Sequence, residues 1–462
     1  MKTSWTDLLN RNRPAAAKFV LALTIGLALE IILALFPVPG LKAVRQAGDD
    51  MADGLMRFAA LSETAGASPL RFAFIDIDDA TWAAWGAPLV TPRDRLVEIL
   101  GPVARSRPAV IVLDVDLAFR DAETSEIALK KFLGAYPPEA PPLVLARALM
   151  PGAQTGLPSP RGTEFEKEAH KPNIIWALPS FLRDSDGNVR RWQLAFPVCE
   201  GGAPKIIASA QLSAAWLWSG NGADALAPAL APLVPKDCGT ADAGKGPAFE
   251  LAEGKLPAII FNGSDAASRV IYSIKWQDRS AALGPELADG SFKVAVRKAG
   301  TVARLDEGGP VPGIEGAIAV IGGSFKDSGD WHDTPIGAMP GSLVLINAID
   351  ALARHGTPNE QSWITRLALS LLMICAACLC VAIFRPSVAA LMSLLGFGLL
   401  MAASMPLFKS GLVLNLAIPS LGIILADALF SFAETICDMR KEGWRWMFKP
   451  AAAPSRRRKE RS

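Results

Sequence analysis

Four long apolar runs constrain this chain more than any motif does: residues 19–36 near the start, and 367–384, 388–408 and 412–432 near the end. Each has a length suited to crossing a bilayer as an α-helix, for which roughly 17–25 residues are needed. Only Arg385, Pro386 and Ser387 separate the second run from the third, and only Lys409 to Gly411 the third from the fourth. Linkers that short predict a tight up-down series of helices. Lys2, Arg11, Arg13 and Lys18 precede the first run, and residues 440–461 hold a dense set of Lys and Arg opposed only by Glu442 and Glu460. Under the positive-inside rule both basic ends belong in the cytoplasm. Four crossings satisfy that and place residues 37–366 outside.

The predicted organisation is therefore a cytoplasmic start (1–18), a transmembrane helix (19–36), an extracytoplasmic domain (37–366), a three-helix membrane bundle (367–432) and a basic cytoplasmic tail (433–462). A cleaved signal peptide would have a shorter apolar core followed by small residues. Here Phe36, Pro37, Val38 and Pro39 follow, which predicts a retained anchor. The location expected is a bacterial inner membrane, with the lipid bilayer as a partner. Glu30 and Asp427 fall within apolar runs, where an ionisable side chain needs a partner or a route to the interface. Glu30 sits about 9 Å inside the outer end of its helix, at 1.5 Å per residue, within reach of a snorkelling Arg366. Asp427, near the opposite face, is too far in depth to join them. These three are the candidate transmembrane coupling residues.

Apolar residues make up 51% of the chain, against roughly 45–50% for a soluble protein counted with glycine. The excess is confined to the four runs. Net charge is +2, and the basic tail reads as a topology determinant, so no nucleic-acid partner is expected. Trp444, Trp446 and Phe448 among its basic residues suit a segment lying on the inner leaflet, or one that docks a partner. Cys375, Cys378 and Cys380 lie in one apolar run, where cysteine behaves as a small hydrophobe. Cys199 and Cys238 lie in the outer region, where an oxidising compartment permits a disulfide without requiring one.

Residues 41–61 carry apolar side chains at loosely helical spacing. Beyond them, short apolar strands at 71–77, 109–115 and 142–146 alternate with amphipathic helices at 92–105 and 126–133. Such alternation predicts a mixed, mainly parallel sheet with flanking helices, an α/β fold. Further strands are expected at 173–178, 258–261 and 317–321, and residues 220–246 read as a surface insertion.

The first strand ends in Asp76, Asp78 and Asp79, the second in Asp114 and Asp116. Ligands of open α/β sheets bind outside the carboxyl ends of the strands, and alternation points Asp76 with Asp78 and Asp114 with Asp116. Converging carboxylates would suit a hard cation or an amino or guanidino ligand. The alternative is that they cap helices or pair with Arg93 and Arg95. His332, between Asp330 and Asp333, offers either a small metal cluster or a solvated loop. The run from Arg183 to Arg191 begins like a calcium loop but lacks its closing glutamate, so Asp186-Gly187 reads as a turn. No nucleophile elbow, zinc-helix motif or phosphate loop is present, so neither catalysis nor a cofactor is expected, and a metal is left open.

Several stretches, in order, resemble the CHASE type-two family of extracellular sensor domains. They are Phe74-Ile75-Asp76-Ile77-Asp78-Asp79, Pro92-Arg93, Ala109 to Asp114, Asp184-Ser185-Asp186-Gly187-Asn188-Val189-Arg190, Ile259-Ile260-Phe261-Asn262, Ala319-Val320-Ile321-Gly322, and Asp333-Thr334-Pro335 leading to Pro340-Gly341. The resemblance covers roughly residues 40–432, including three closing membrane helices. It departs at Trp85-Gly86-Ala87-Pro88, where the family has a tryptophan- and proline-rich stretch. It also departs at the end, where residues 433–462 leave no room for the usual cyclase or kinase output domain. The resemblance implies a sensory membrane protein that signals to a separate cytoplasmic or membrane partner, with ligand-binding candidates Asp76, Asp78, Arg93, Asp114, Asp116 and Asp333. Sensors of this layout commonly form homo-oligomers. The alternative expectation is a docking subunit of a cell-envelope complex. A sensor should hold a closed pocket at the acidic strand ends, whereas a scaffold would leave that place filled or flat.

Overall fold

The computed structural model describes residues 42–61 and 70–360, apart from 153–155, 240–248, 252–253, 262–267, 288, 306–308 and 358, together with isolated positions elsewhere and Leu412–Val413. The chain divides into two units. One comprises Asp53–Glu360 and Phe408–Leu412; the other comprises Met1–Ala52, Gln361–Leu407 and Val413–Ser462. In the second unit the described residues are 42–52 and a few scattered positions.

The first unit is built on seven strands. They are β1 (Phe72–Ile77), β2 (Val110–Leu113), β3 (Leu143–Ala146), β4 (Ile174–Ala177), β5 (Ala282–Glu286), β6 (Phe292–Lys298) and β7 (Ile318–Gly323), in the order β5-β6-β1-β7-β2-β3-β4. Every neighbouring pair is parallel except β5 with β6. The central strands are short apolar runs with every residue of β1, β2 and β3 buried, as a parallel sheet covered on both faces requires.

The principal helices are α1 (Lys42–Leu61), α2 (Arg93–Arg105), α3 (Glu123–Ala135), α4 (Ala210–Trp218) and α5 (Gly341–His355). Leu96, Ile99, Leu100 and Val103 of α2 and Leu129 and Leu133 of α3 pack on Ile75, Ile77, Leu113, Leu145 and Ile321. The opposite face carries α4 over β2 and β3, and α5 over β7 and β1, with α4 and α5 against each other. All of α4 up to Leu217 is buried, so it shows no polar stripe and no amphipathic signal.

Sequence reading misses β5 and β6. A charged residue inside β6 hides the pattern: Lys293 is buried with its ammonium 2.8 Å from Asp350 of α5. Conversely, Ile259–Phe261 is a strand but pairs antiparallel with Phe249–Leu251, outside the main sheet.

The predicted architecture of a sheet plus four transmembrane helices is corrected: among the described residues, no helix is long and apolar enough to cross a membrane. The longest, α1, has 20 residues but is interrupted by Arg45, Asp49, Asp50, Asp53 and Arg57. Leu412–Val413, where the last span was expected to begin, is a two-residue strand. The expected spans at 19–36, 367–384 and 388–408, the rest of 412–432, the basic tail, and Glu30, Arg366 and Asp427 lie outside the described residues apart from isolated positions.

The Asp184–Arg190 motif builds a buried ionic knot. Phe181–Arg183 and Val189–Trp192 pair antiparallel, and Gly187, at φ 86°, takes the left-handed turn between them. Arg190 is buried and bonds Asp53 of α1 (Nη2 2.8 Å, Nε 2.9 Å), Asp184 (3.2 Å) and Asp186 (2.7 Å). Arg269 reaches the other oxygen of Asp53 at 3.1 Å. The bonds from Arg190 hold the Asp186 carboxyl well below the usual carboxylate range. One turn along α1, Arg57 donates to the carbonyl of Pro335 at 2.6 Å. Cys199 and Cys238 form a disulfide.

Candidate functional site

A cavity of about 540 Å³ opens over the carboxyl ends of β1, β7, β2, β3 and β4. Its size falls in the range of small-molecule sites, roughly 300–1,000 Å³. Ile77 and Gly323 end their strands in its wall, and Asp114, Val115 and Asp116 follow β2 into it. Arg147, Ala148 and Leu149 follow β3, and Leu178 to Phe181 follow β4. Thr91, four residues of the 325–332 segment (Phe325, Ser328, Asp330 and His332), and Gly341 and Leu345 of α5 also line it.

Asp114 is half-buried and its carboxylate accepts from Ser342 Oγ at 2.7 Å. Burial, reinforced by the neighbouring Asp330, pushes its pKa up to about 7. Two glycines make room for this arrangement. A Cβ on Gly322 would run into the Ser342 hydroxyl, and one on Gly341 would run into the Asp330 carboxylate. The glycines at 322 and 341 thus serve side-chain packing.

His332 is clamped between two partners. Its Nε2 lies 2.9 Å from Asp330 Oδ1 and its Nδ1 lies 2.9 Å from Arg183 Nη2. A guanidinium only donates, so Nδ1 is the acceptor and Nε2–H donates to Asp330. Arg147 is likewise occupied, by Glu166 at 2.8 Å and Glu200 at 3.2 Å.

The residues singled out from sequence separate. Asp114 and Asp116 line the cavity; Asp116 accepts from the amide of Ala118 at 2.8 Å. Asp76 is buried and accepts from the amide and hydroxyl of Ser324 at 3.1 and 2.9 Å, and burial raises its pKa to about 6. Neither Asp76 nor the other three are among the lining residues. Asp78 caps the helix Asp79–Ala84 through Thr81 and pairs with Lys298 at 3.1 Å. Arg93 is buried and ties down the loop after β2 by donating to the carbonyls of Thr91, Asp116 and Phe119. Asp333 is exposed, and its carbonyl accepts from Val189 at 2.8 Å. Arg95 pairs with Glu98. The cluster imagined around His332 gains Asp330 and not Asp333. Ser342, Arg147 and Arg183 gave no local signal, since each meets its partner across a long stretch of chain.

A mainly parallel sheet with a ligand-sized cavity over its carboxyl ends defines an open α/β domain, a fold whose ligands bind at that edge. The sequence profile of the CHASE2 domain matches residues 25–383, most of the chain. The chain belongs to the CHASE2 domain family, a family of sensory extracellular domains. No curated protein and no solved structure shows significant similarity to it.

Proposed function

We propose that this protein reads a small-molecule signal outside the cytoplasm and passes its state to a separate partner protein. The observation that carries the reading is the cavity at the strand ends with Asp114 in its lining. A docking subunit would have no need of a ligand-sized hollow at that place. The reading is one of binding without turnover. Ser342, whose hydroxyl donates to Asp114, is itself fully buried.

The cavity is coupled to the rest of the domain through one segment. Asp330 and His332 line it, Asp333 holds Val189 of the ionic-knot hairpin, and Pro335 accepts from Arg57 of α1. A ligand that moves residues 330–335 would therefore load both the hairpin and α1. Thermal-shift screening of the full-length protein against small molecules, with Leu149→Trp filling the cavity, tests the reading. Hits abolished by the substitution, together with an in-cell crosslinked partner whose recovery changes with the hit compound, are expected. Hits indifferent to Leu149→Trp and a partner set that ignores every compound would sink it.

A further inference from the structure

We propose that α1 is the interface through which two copies of this chain pair, side by side and parallel, as a two-helix coiled coil. The helix has two faces. Ala52, Asp53, Leu55 and Met56 are buried. Gly54 and Phe58, one turn apart on the other side, are exposed, and Phe58 is 60% accessible. Met51, on the same line, is half-buried. The sequence extends that line to Val44, Ala47, Met51, Gly54, Phe58 and Leu61, apolar or glycine at alternating steps of three and four. A period of about 3.5 residues is the one that keeps a single seam of a helix against another helix. The charged residues of α1, from Lys42 to Arg57, all stay off that seam.

Gly54 points to a second copy as the occupant. It lies in mid-helix, where glycine is less stable than alanine. Its φ is not positive, and an added Cβ would meet no atom within 4 Å. Neither backbone conformation nor a neighbour in its own chain therefore calls for a glycine there. A helix lying alongside does. In coiled coils each seam side chain enters a hole among four residues of the facing helix. In a parallel pair the hole that receives Phe58 is bordered by the partner's Gly54, one turn back. The ring exposed in one copy thus fills the space that glycine leaves open in the other, and the twofold axis repeats the contact. A bilayer surface would favour a bulky apolar side chain at 54 and has no use for a glycine. Beside the seam, Arg57 holds the carbonyl of Pro335 at 2.6 Å, which places the pair next to the link between α1 and the cavity segment. The pairing itself is independent of what the cavity binds.

Sedimentation of the purified full-length protein over a range of concentrations tests this. A reversible dimer is expected. Phe58→Glu and Gly54→Leu are each expected to raise its dissociation constant at least tenfold. Neither should lower the melting temperature of dilute, monomeric protein, because both positions are exposed there. Ile127→Glu, which replaces a comparably exposed side chain on α3, is expected to leave the dimer unchanged. With Cys375, Cys378, Cys380 and Cys437 replaced by serine, Phe58→Cys chains are expected to join through a disulfide under mild oxidation. A chain that stays monomeric at every concentration overturns the proposal. So does a dimer that tolerates both Phe58→Glu and Gly54→Leu, or one whose Phe58→Cys copies do not cross-link.

Discussion

Ser342 Oγ lies 2.7 Å from Asp114 Oδ2, a contact between residues 228 apart in the chain. It joins the first turn of α5 to the end of β2, and it is possible only because β7 passes beneath as Gly322. Gly322→Ala would drive a methyl into the hydroxyl and crowd Asp114 Cβ, which stands 3.4 Å from the ideal Cβ position. Overpacking of this kind costs about 1–3 kcal/mol. Urea unfolding should show that loss, and the variant should bind cavity ligands more weakly.

The raised carboxyls set a pH dependence. Asp114 and Asp76 have pKa values near 7 and 6, pushed up chiefly by burial from an ordinary 3.8. Between about pH 4 and pH 7 the folded protein therefore binds protons that the unfolded chain has released, and its stability falls as pH rises through that window. Asp114→Asn should flatten the upper part of this decline and leave the variant more stable than wild type at pH 8. Thermal melts from pH 5 to pH 8 measure it; an unchanged pH profile in the variant would refute the assignment.

The ionic knot gives a prediction of opposite sign. Removing one partner of a buried ion pair leaves an uncompensated charge and costs about 3–5 kcal/mol. Asp53→Asn strips Arg190 and Arg269 of a shared carboxylate, so a loss in that range is expected in chemical denaturation. Limited proteolysis should show α1 cut earlier in this variant than in wild type, because the knot is one of its polar attachments to the domain.

The disulfide closes a loop of 39 residues, worth up to about 4 kcal/mol on chain-entropy grounds. It also anchors a cavity wall. Cys199 adjoins Glu200, which holds Arg147, and its amide donates to Pro158 beside the strand that pairs with Leu149–Met150. The Cys199→Ser/Cys238→Ser variant should be less stable than oxidised wild type and equal to reduced wild type. Equal stability of the variant and the oxidised protein would show that the bond contributes nothing.

Asp78→Ala should cost about 1 kcal/mol, the usual value of a lost helix cap, and should not change binding in the cavity. The same substitution abolishing binding would return Asp78 to the site.

The sequence by itself determined the central sheet. Val110–Leu113, Leu143–Ala146 and the first and seventh strands are apolar runs too short and too β-branched to be helices, and helices at the right spacing lie between them. It also placed acids at the carboxyl ends, because a strand's end is a local feature. It did not reveal β6 or α4, since a buried Lys293 needs Asp350 before it makes sense and a helix buried all round has no period to read. Nor could it sort the acids into roles. Asp78 and Asp114 stand in similar strand-end contexts, yet Asp78 finds Thr81 three residues on and becomes a cap, whereas Asp114 finds Ser342 and a cavity. Hydrogen bonds to near neighbours are written in local spacing. Those that enclose a charge among segments hundreds of residues apart exist only once the sheet has brought those segments together.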